Sequence, residues 1–332
     1  MNLKKPCFQL ALLVTLLFPL SSLCFHSTGH MVVARIVEIE LKDTRIYSQM
    51  RDIIKILSPF TKEKKYPFVE SGPWADDVKY TGVGTMSDWH FHDNYVNLNG
   101  PLSEEEILHA GLPNEPENIV WATNQSIKIL KNKKFSLIDD RMNKSIYLRM
   151  LIHFFGDLHQ PLHNVSLVTD QFPKGDNGGN SFKVKMPKFK DLHSLWDTCV
   201  GNYPDIRCPL TKDEFDQIDS IAQKVMGKYP RENETIAKRL EITDVEEMSA
   251  EGVNLAVNFV YKGIKSGSTP SQEYLKRGRE IIDQQLAVAG YRLSDLLQEI
   301  FQDKEVLQKH VKSEKIERSL LNNRTQFKAR LD

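Results

Sequence analysis

The chain has no excess charge of either sign. Lysine plus arginine number 44 in 332 residues, and aspartate plus glutamate also number 44. This balance excludes a surface that grips duplex nucleic acid through bulk positive charge. Cysteine is scarce, at four, which excludes a small scaffold stapled by many disulfides. After residue 24 no segment is apolar enough to cross a bilayer. Residues 303–332 form a charged C-terminal tail, which argues against a lipid-anchor signal. Internal repeats and a composition-marked linker are also missing, so residues 25–302 read as one domain.

The first 24 residues differ from the rest. Lys4 and Lys5 precede a nearly uncharged apolar run over 7–20, and Ser22 and Cys24 stand at the −3 and −1 positions of a cut before Phe25. Residues 1–24 therefore read as a secretory signal peptide. The expected destination is outside the cell, or the lumen of a lysosome- or vacuole-like compartment, with no membrane anchor. Cys199 and Cys208 remain after the cut and are expected to close one small loop by a disulfide. Glycosylation sequons begin at Asn124, Asn143, Asn164, Asn233 and Asn323.

Most of the mature chain has helical spacing. Helices are expected over 28–41, with Thr28 as cap, and over 118–130, 144–160, 192–200, 212–228, 244–262 and 272–302. Pro161 ends the third of these, and Gly290 is expected to interrupt the last. Residues 175–186, GDNGGNSFKVKM, read as a tight loop leading into a hairpin arm. Residues 67–99 show little periodicity and read as one long functional loop. The fold class is mainly α: a single-domain helical bundle with a short β-hairpin.

The conspicuous stretch is HFFGDLHQPLH, residues 153–163. His153 and Asp157 lie four apart, on one helix face, and His193 and Asp197 repeat that spacing. One such pair more often supports a helix than binds a metal. Two pairs, with His163 just past the proline, point to metal. His30, Asp76 and His90 add further nitrogen and oxygen donors. Singly these read as a capped surface residue, a helix-start acid and a packed loop histidine. Together the donors suffice for more than one ion, the regime of multi-metal phosphoester hydrolysis.

The ordered motifs FHSTGH, WADDVK, WHFHD, HFFGDLHQPLH, GDNGGNSFKV and LHSLWD resemble the zinc-dependent single-strand-specific nucleases. These are the class I nucleases of fungi, plants and protists, in the phospholipase C / nuclease superfamily. The resemblance covers residues 25 to about 296 and implies that superfamily's helical bundle and three Zn2+ per chain. One ion would take Asp76, His90, His153 and an oxygen of Asp157. The second would take Asp157, His30, and the free amine and carbonyl of the first mature residue, Phe25. The third would take His163, His193 and Asp197.

The family usually begins with Trp where this chain has Phe25, and carries Arg where it has Lys79. Backbone ligands tolerate the first change. The second keeps a cation for phosphorane charge and loses the bidentate fork. The resemblance further implies a hydroxide-like water near neutral pH oriented by Asp76, and 5′-phosphate with 3′-hydroxyl products. The expected substrates are single-stranded DNA and RNA and 3′-nucleotides, and a monomer is expected. For Phe91 and Asp93 the residues alone favour packing and support of His90, whereas the resemblance implies stacking on a base and hydrogen bonding to its edge. His159 points away from the pair beside it and reads as a supporting or surface residue. The alternatives are a zinc phospholipase C and a non-catalytic zinc-binding secreted glycoprotein.

Overall fold

The computed structural model describes residues 26–79, 84–131 and 140–302. The signal segment, Phe25, Asn323 and the tail lie outside the described residues. The architecture is mainly helical, with two small sheets. Helix Ser27–Leu41 runs through the middle. Met31, Val32, Val33, Ala34, Ile36 and Val37 are all fully buried, so this helix is apolar almost all round. It packs on helices Gln272–Phe301, Lys212–Lys228 and Asp140–Leu158.

Gly290 does not interrupt the last helix, which is continuous from Gln272 to Phe301. A Cβ at 290 would stand 2.4 Å from Ile36 Cγ2. The glycine is there for close helix approach, which outweighs its poor helix propensity. Thr28 does not cap the first helix either. His26 holds the cap position without a side-chain bond, and the Thr28 hydroxyl turns to the 204–206 backbone.

Other helix ends follow their capping chemistry. The Asn118 carbonyl oxygen accepts from the amides of Val120 and Trp121, starting Ile119–Lys131. Thr211 and Glu214 form a capping box at the head of Lys212–Lys228. Helix Asp140–Leu158 begins earlier than its spacing suggested. Helix Val245–Leu255 continues as a wider turn over Ala256–Val260.

Residues 67–99 are not one long loop. They contain the short helices Pro67–Glu70 and Trp74–Lys79, a 3-10 turn Gly84–His90 and the strand Tyr95–Asn97. Elements of 4, 6, 7 and 3 residues are too short to establish a hydrophobic period. Tyr95–Asn97 pairs in parallel with Ser166–Leu167, which sets the chain after His90 beside the chain after His163. The expected hairpin is present: Lys183–Met186 pairs antiparallel with Phe189–Asp191.

The expected disulfide is not formed. Cys199 is a buried free thiol at a bend with φ 55°, and Cys208 Sγ faces Met31 Sδ at 3.7 Å and the Glu70 carbonyl at 3.4 Å. Sequence spacing alone does not fix Cβ directions, and each thiol has separate packing partners. One sequon is also closed. Asn164 is fully buried, and its amide donates to the carbonyls of Leu158 and Gln160 at 3.0 Å each. A glycan there is incompatible with this packing. Asn124 and Asn233 are exposed, and Asn143 is half-buried. Among the described residues no helix is long and apolar enough to cross a membrane.

Candidate metal centre

Helix Asp140–Leu158 carries His153 and Asp157 one turn apart on its buried face. Phe154, Phe155 and Leu158 pack the rest of that helix into the core. Helix Trp74–Lys79 brings Asp76, and the turn Gly84–His90 brings His90. Their donor atoms converge. His90 Nδ1, His153 Nε2 and Asp157 Oδ2 lie 3.0 Å from one another, and Asp76 Oδ1 lies 3.8 Å from His90 Nδ1 and 3.6 Å from His153 Nε2. Four tetrahedral ligands at about 2.0–2.1 Å from a zinc ion stand about 3.3 Å apart. The spacing fits such an ion.

Asp157 faces two ways. Its Oδ2 belongs to this group, and its Oδ1 lies 3.4 Å from His30 Nε2. The His30 ring stacks on His153 at 3.8 Å between centroids, and His30 can also converge with Asp76 and His153. Pro161 starts the 3-10 turn Pro161–Asn164, which swings His163 toward helix Leu192–Asp197. There His163 Nε2 lies 3.2 Å from Asp197 Oδ1, and His193 Nε2 lies 3.1 Å from Asp197 Oδ2. Eight of the nine expected ligand residues thus form two adjoining clusters, bridged by Asp157 Oδ1 at 3.4 Å from His163 Nδ1. The ninth, Phe25, lies outside the described residues.

The imidazole orientations are set by backbone carbonyls. His153 Nδ1 meets the Gly72 carbonyl at 2.9 Å, His163 Nδ1 that of His90 at 2.9 Å, and His193 Nδ1 that of Gly178 at 2.6 Å. A carbonyl can only accept, so each Nδ1 carries a proton and each ring turns its Nε2 toward a carboxylate. Two acceptors at about 3 Å need a cation between them, a proton or a metal. Asp157 Oδ1, His193 Nε2 and Asp197 Oδ2 are buried and make no hydrogen bond among the described residues. A chain of this size does not bury such atoms without compensation. The residues fit metal ions.

The electrostatics agree. Burial opposes ionisation of Asp76 and Asp157, yet surrounding histidines, with Lys79 beside Asp76, pull both below the usual carboxylate range. Burial and then Lys79 push His90 down to about 3. His193 resists burial and rises to about 9, because Asp197 stabilises its proton when nothing else holds that place.

Asp76 and Lys79 are the partly open members, with side chains 21% and 15% exposed and a 3.0 Å ion pair between them. The centre therefore opens to solvent on their side. Phe91 and Asp93 follow His90 and are half-buried. Burial, with Glu115 and Asp176 nearby, pushes Asp93 up to about 7, while His193 pulls it down. Asp93 therefore sits within the field of the cluster of His163, His193 and Asp197. Beyond His26 a cleft of about 500 Å³ is lined by Lys188, Phe189, Tyr203 and Arg279.

His159 is not at the surface. It is buried, its Nδ1 donates to the Phe155 carbonyl at 2.8 Å, and its Nε2 accepts from Arg292 at 3.0 Å. Gln160 escaped the sequence reading. Its amide donates to Asp197 Oδ1 at 2.7 Å, and its carbonyl oxygen accepts from the Leu162 amide at 2.6 Å. The available signal was a glutamine caught between Asp157 and Pro161, where a solvated residue has no place.

Comparison with known proteins places the chain in a family. Residues 25–302 match the S1/P1 nuclease family. The chain is similar to Endonuclease 2 of Arabidopsis thaliana, 28% identical over 280 residues, 82% of this chain and 89% of that protein. It is similar to Nuclease S1 of Aspergillus oryzae, 25% identical over 240 residues, 67% of this chain and 75% of that protein. Endonuclease 1 of Arabidopsis thaliana is 30% identical over 173 residues, spanning 50% of this chain and 52% of that protein. With the match running through every cluster residue and Phe25 alike, the chain belongs to the S1/P1 nuclease family, hydrolases of nucleic acid known for their dependence on metal.

Proposed function

We propose that this protein is a secreted zinc-dependent phosphodiesterase. It hydrolyses single-stranded DNA and RNA to 5′-phosphomononucleotides and has 3′-nucleotidase activity, through a site holding three Zn2+ per chain. The observation that carries this is Asp157, whose two oxygens face two different groups of donors at 3.0 Å and 3.4 Å. Neutral imidazole with carboxylate is the donor set zinc takes. When bound, zinc supplies Lewis acidity that lowers the pKa of water toward neutrality and offsets charge on phosphoryl oxygens.

The chain's own residues do the rest. Asp157 and Asp197 are anionic before the substrate arrives and hold their clusters without rearrangement. Asp76, on the open side, accepts a proton-side contact from the attacking water and aligns it with phosphorus. Lys79, 3.0 Å from Asp76, places a positive charge where phosphorane charge grows. Phe91 stacks on a base and Asp93 bonds its edge. The donors are buried apart from the partly open Asp76, and a recessed centre of this kind favours an unstacked strand over duplex.

Residues 1–24 would be removed as a signal peptide. The monomer would then reach the exterior or a lysosome- or vacuole-like lumen, with glycans at Asn124 and Asn233 the sterically open choices. The test is product analysis with the purified protein. The reading requires 5′-mononucleotides from RNA and no phosphocholine from lecithin; the opposite pattern would make it a phospholipase C. Base stacking is worth about 1–3 kcal/mol, so Phe91→Ala is expected to raise KM for single strands by roughly tenfold, with kcat little changed. Steady-state kinetics check this, and an unchanged KM would return Phe91 to a packing role.

A further inference from the structure

Residues 26–28 are tied down by both backbone and side-chain hydrogen bonds. The His26 amide donates to the carbonyl of Asp197 at 2.8 Å, so the backbone at residue 26 lies against a cluster residue. The His26 side chain is almost buried, and its Nε2 meets Asp205 Oδ1 at 2.7 Å. The Thr28 hydroxyl donates to the Pro204 carbonyl at 2.7 Å and accepts from the Ile206 amide at 2.9 Å. Asp205 is in turn gripped by Arg207 at 2.7 Å.

Segment 202–207 is itself anchored in the core. Asn202 and Tyr203 donate to Asp283 Oδ1 at 3.0 Å and 2.5 Å, and Asp283 belongs to the long helix Gln272–Phe301 and is buried. The segment thus links the long helix to the first turn of helix Ser27–Leu41, two residues before His30. Neither Thr28 nor Asp205 touches a cluster donor. Hydrogen bonds that satisfy a mere loop would not need to converge on residues 26–28 from both backbone and side chain.

We propose that segment 202–207 is a positioning element for the metal centre, with Thr28 and Asp205 as its positioning residues: it fixes residues 26–28 against Asp197 and so sets the register in which His30 reaches the cluster. The proposal rests on the metal-binding reading above. It explains why helix Ser27–Leu41 starts without a side-chain cap: Thr28, the residue best suited to cap it, is committed to this segment.

The test uses the mature full chain and four variants, Thr28→Val, Thr28→Ser, Asp205→Ala and Asp205→Asn. Zinc per chain is measured by plasma mass spectrometry after dialysis against buffered free zinc, with cobalt-substituted absorption spectra and melting curves beside it. Thr28→Val and Asp205→Ala are expected to bind one of the metals roughly 10- to 100-fold more weakly, with an altered cobalt band for that site alone. Thr28→Ser keeps both hydrogen bonds and restores wild-type behaviour, and Asp205→Asn, which gives up the Arg207 pair but keeps an oxygen that accepts from His26, is expected to do the same. Asp205 is 43% exposed, so Asp205→Ala should fold and decides the matter if Thr28→Val does not. Wild-type occupancy and spectra in both Thr28→Val and Asp205→Ala would overturn the proposal, as would equal weakening of every site. A wild-type chain that binds no metal would instead overturn the metal-binding reading itself.

Discussion

Asp157→Asn is expected to lower nuclease turnover by about 10⁴-fold while the chain still folds. Asp157 is fully buried, and its two oxygens serve two donor groups. Asparagine keeps the shape but offers one oxygen and one amide, so one group loses its anion and meets N–H donors instead. Loss of several kcal/mol of charge stabilisation at a phosphoryl centre corresponds to a fall of this size. The phenylalanines and leucines around the helix are untouched, so the variant should still fold, with a melting temperature below that of the metal-free wild type because the ionised Asp157 no longer pairs with His153. Single-turnover cleavage of a labelled single strand measures the effect. Near-normal turnover would refute the bridging role.

Metal removal should cost stability on a comparable scale. Each ion that binds only the folded chain contributes about 4 kcal/mol at a thousandfold excess over its Kd. For a domain of this size each kcal/mol moves the melting temperature by about 2–4 °C. Exhaustive chelation is therefore expected to lower it by roughly 10 °C or more, reversibly on adding zinc. The pH dependence should change as well. Without metal, a proton stands between His193 and Asp197, and the folded pKa of His193 is about 9 against 6.5 for the free group. That stabilisation is full below pH 6.5 and is lost as pH rises through about 9. The metal-free chain should therefore lose stability between those values, and the zinc-loaded chain should not. Calorimetry of both forms across pH 6–10 checks the sign.

The sequence displayed the donors better than the scaffold that aims them. His153 with Asp157 and His193 with Asp197 were visible because four-residue spacing on a helix has a fixed geometric meaning. Helix Lys212–Lys228 was equally visible, because its threonine cap and its period agree. The orienting groups were hidden for a physical reason. The carbonyls of Gly72, His90 and Gly178 belong to the backbone and leave no residue-type signal. The Arg292 partner of His159 lies 133 positions away. Gly290 was misread because a glycine's packing role depends on Ile36, which only the tertiary fold brings near. Cys199 and Cys208 were misread because spacing carries no direction, and Asn164 because a sequon carries no burial.

The arrangement also reconciles a neutral chain with a polyanionic substrate. In the proposed three-zinc site the positive charge would sit on ions held by buried aspartates, with Lys79 a cation on the open side. Attraction to phosphate is then local to the centre. Salt should weaken binding less than for a protein that tracks the backbone with many lysines.

The most direct measurement is the zinc content of the mature wild-type protein, purified without added chelator and measured by plasma mass spectrometry against amino-acid analysis. The account predicts three zinc ions per chain. A value of one or none, in protein whose nuclease activity is intact, would contradict it.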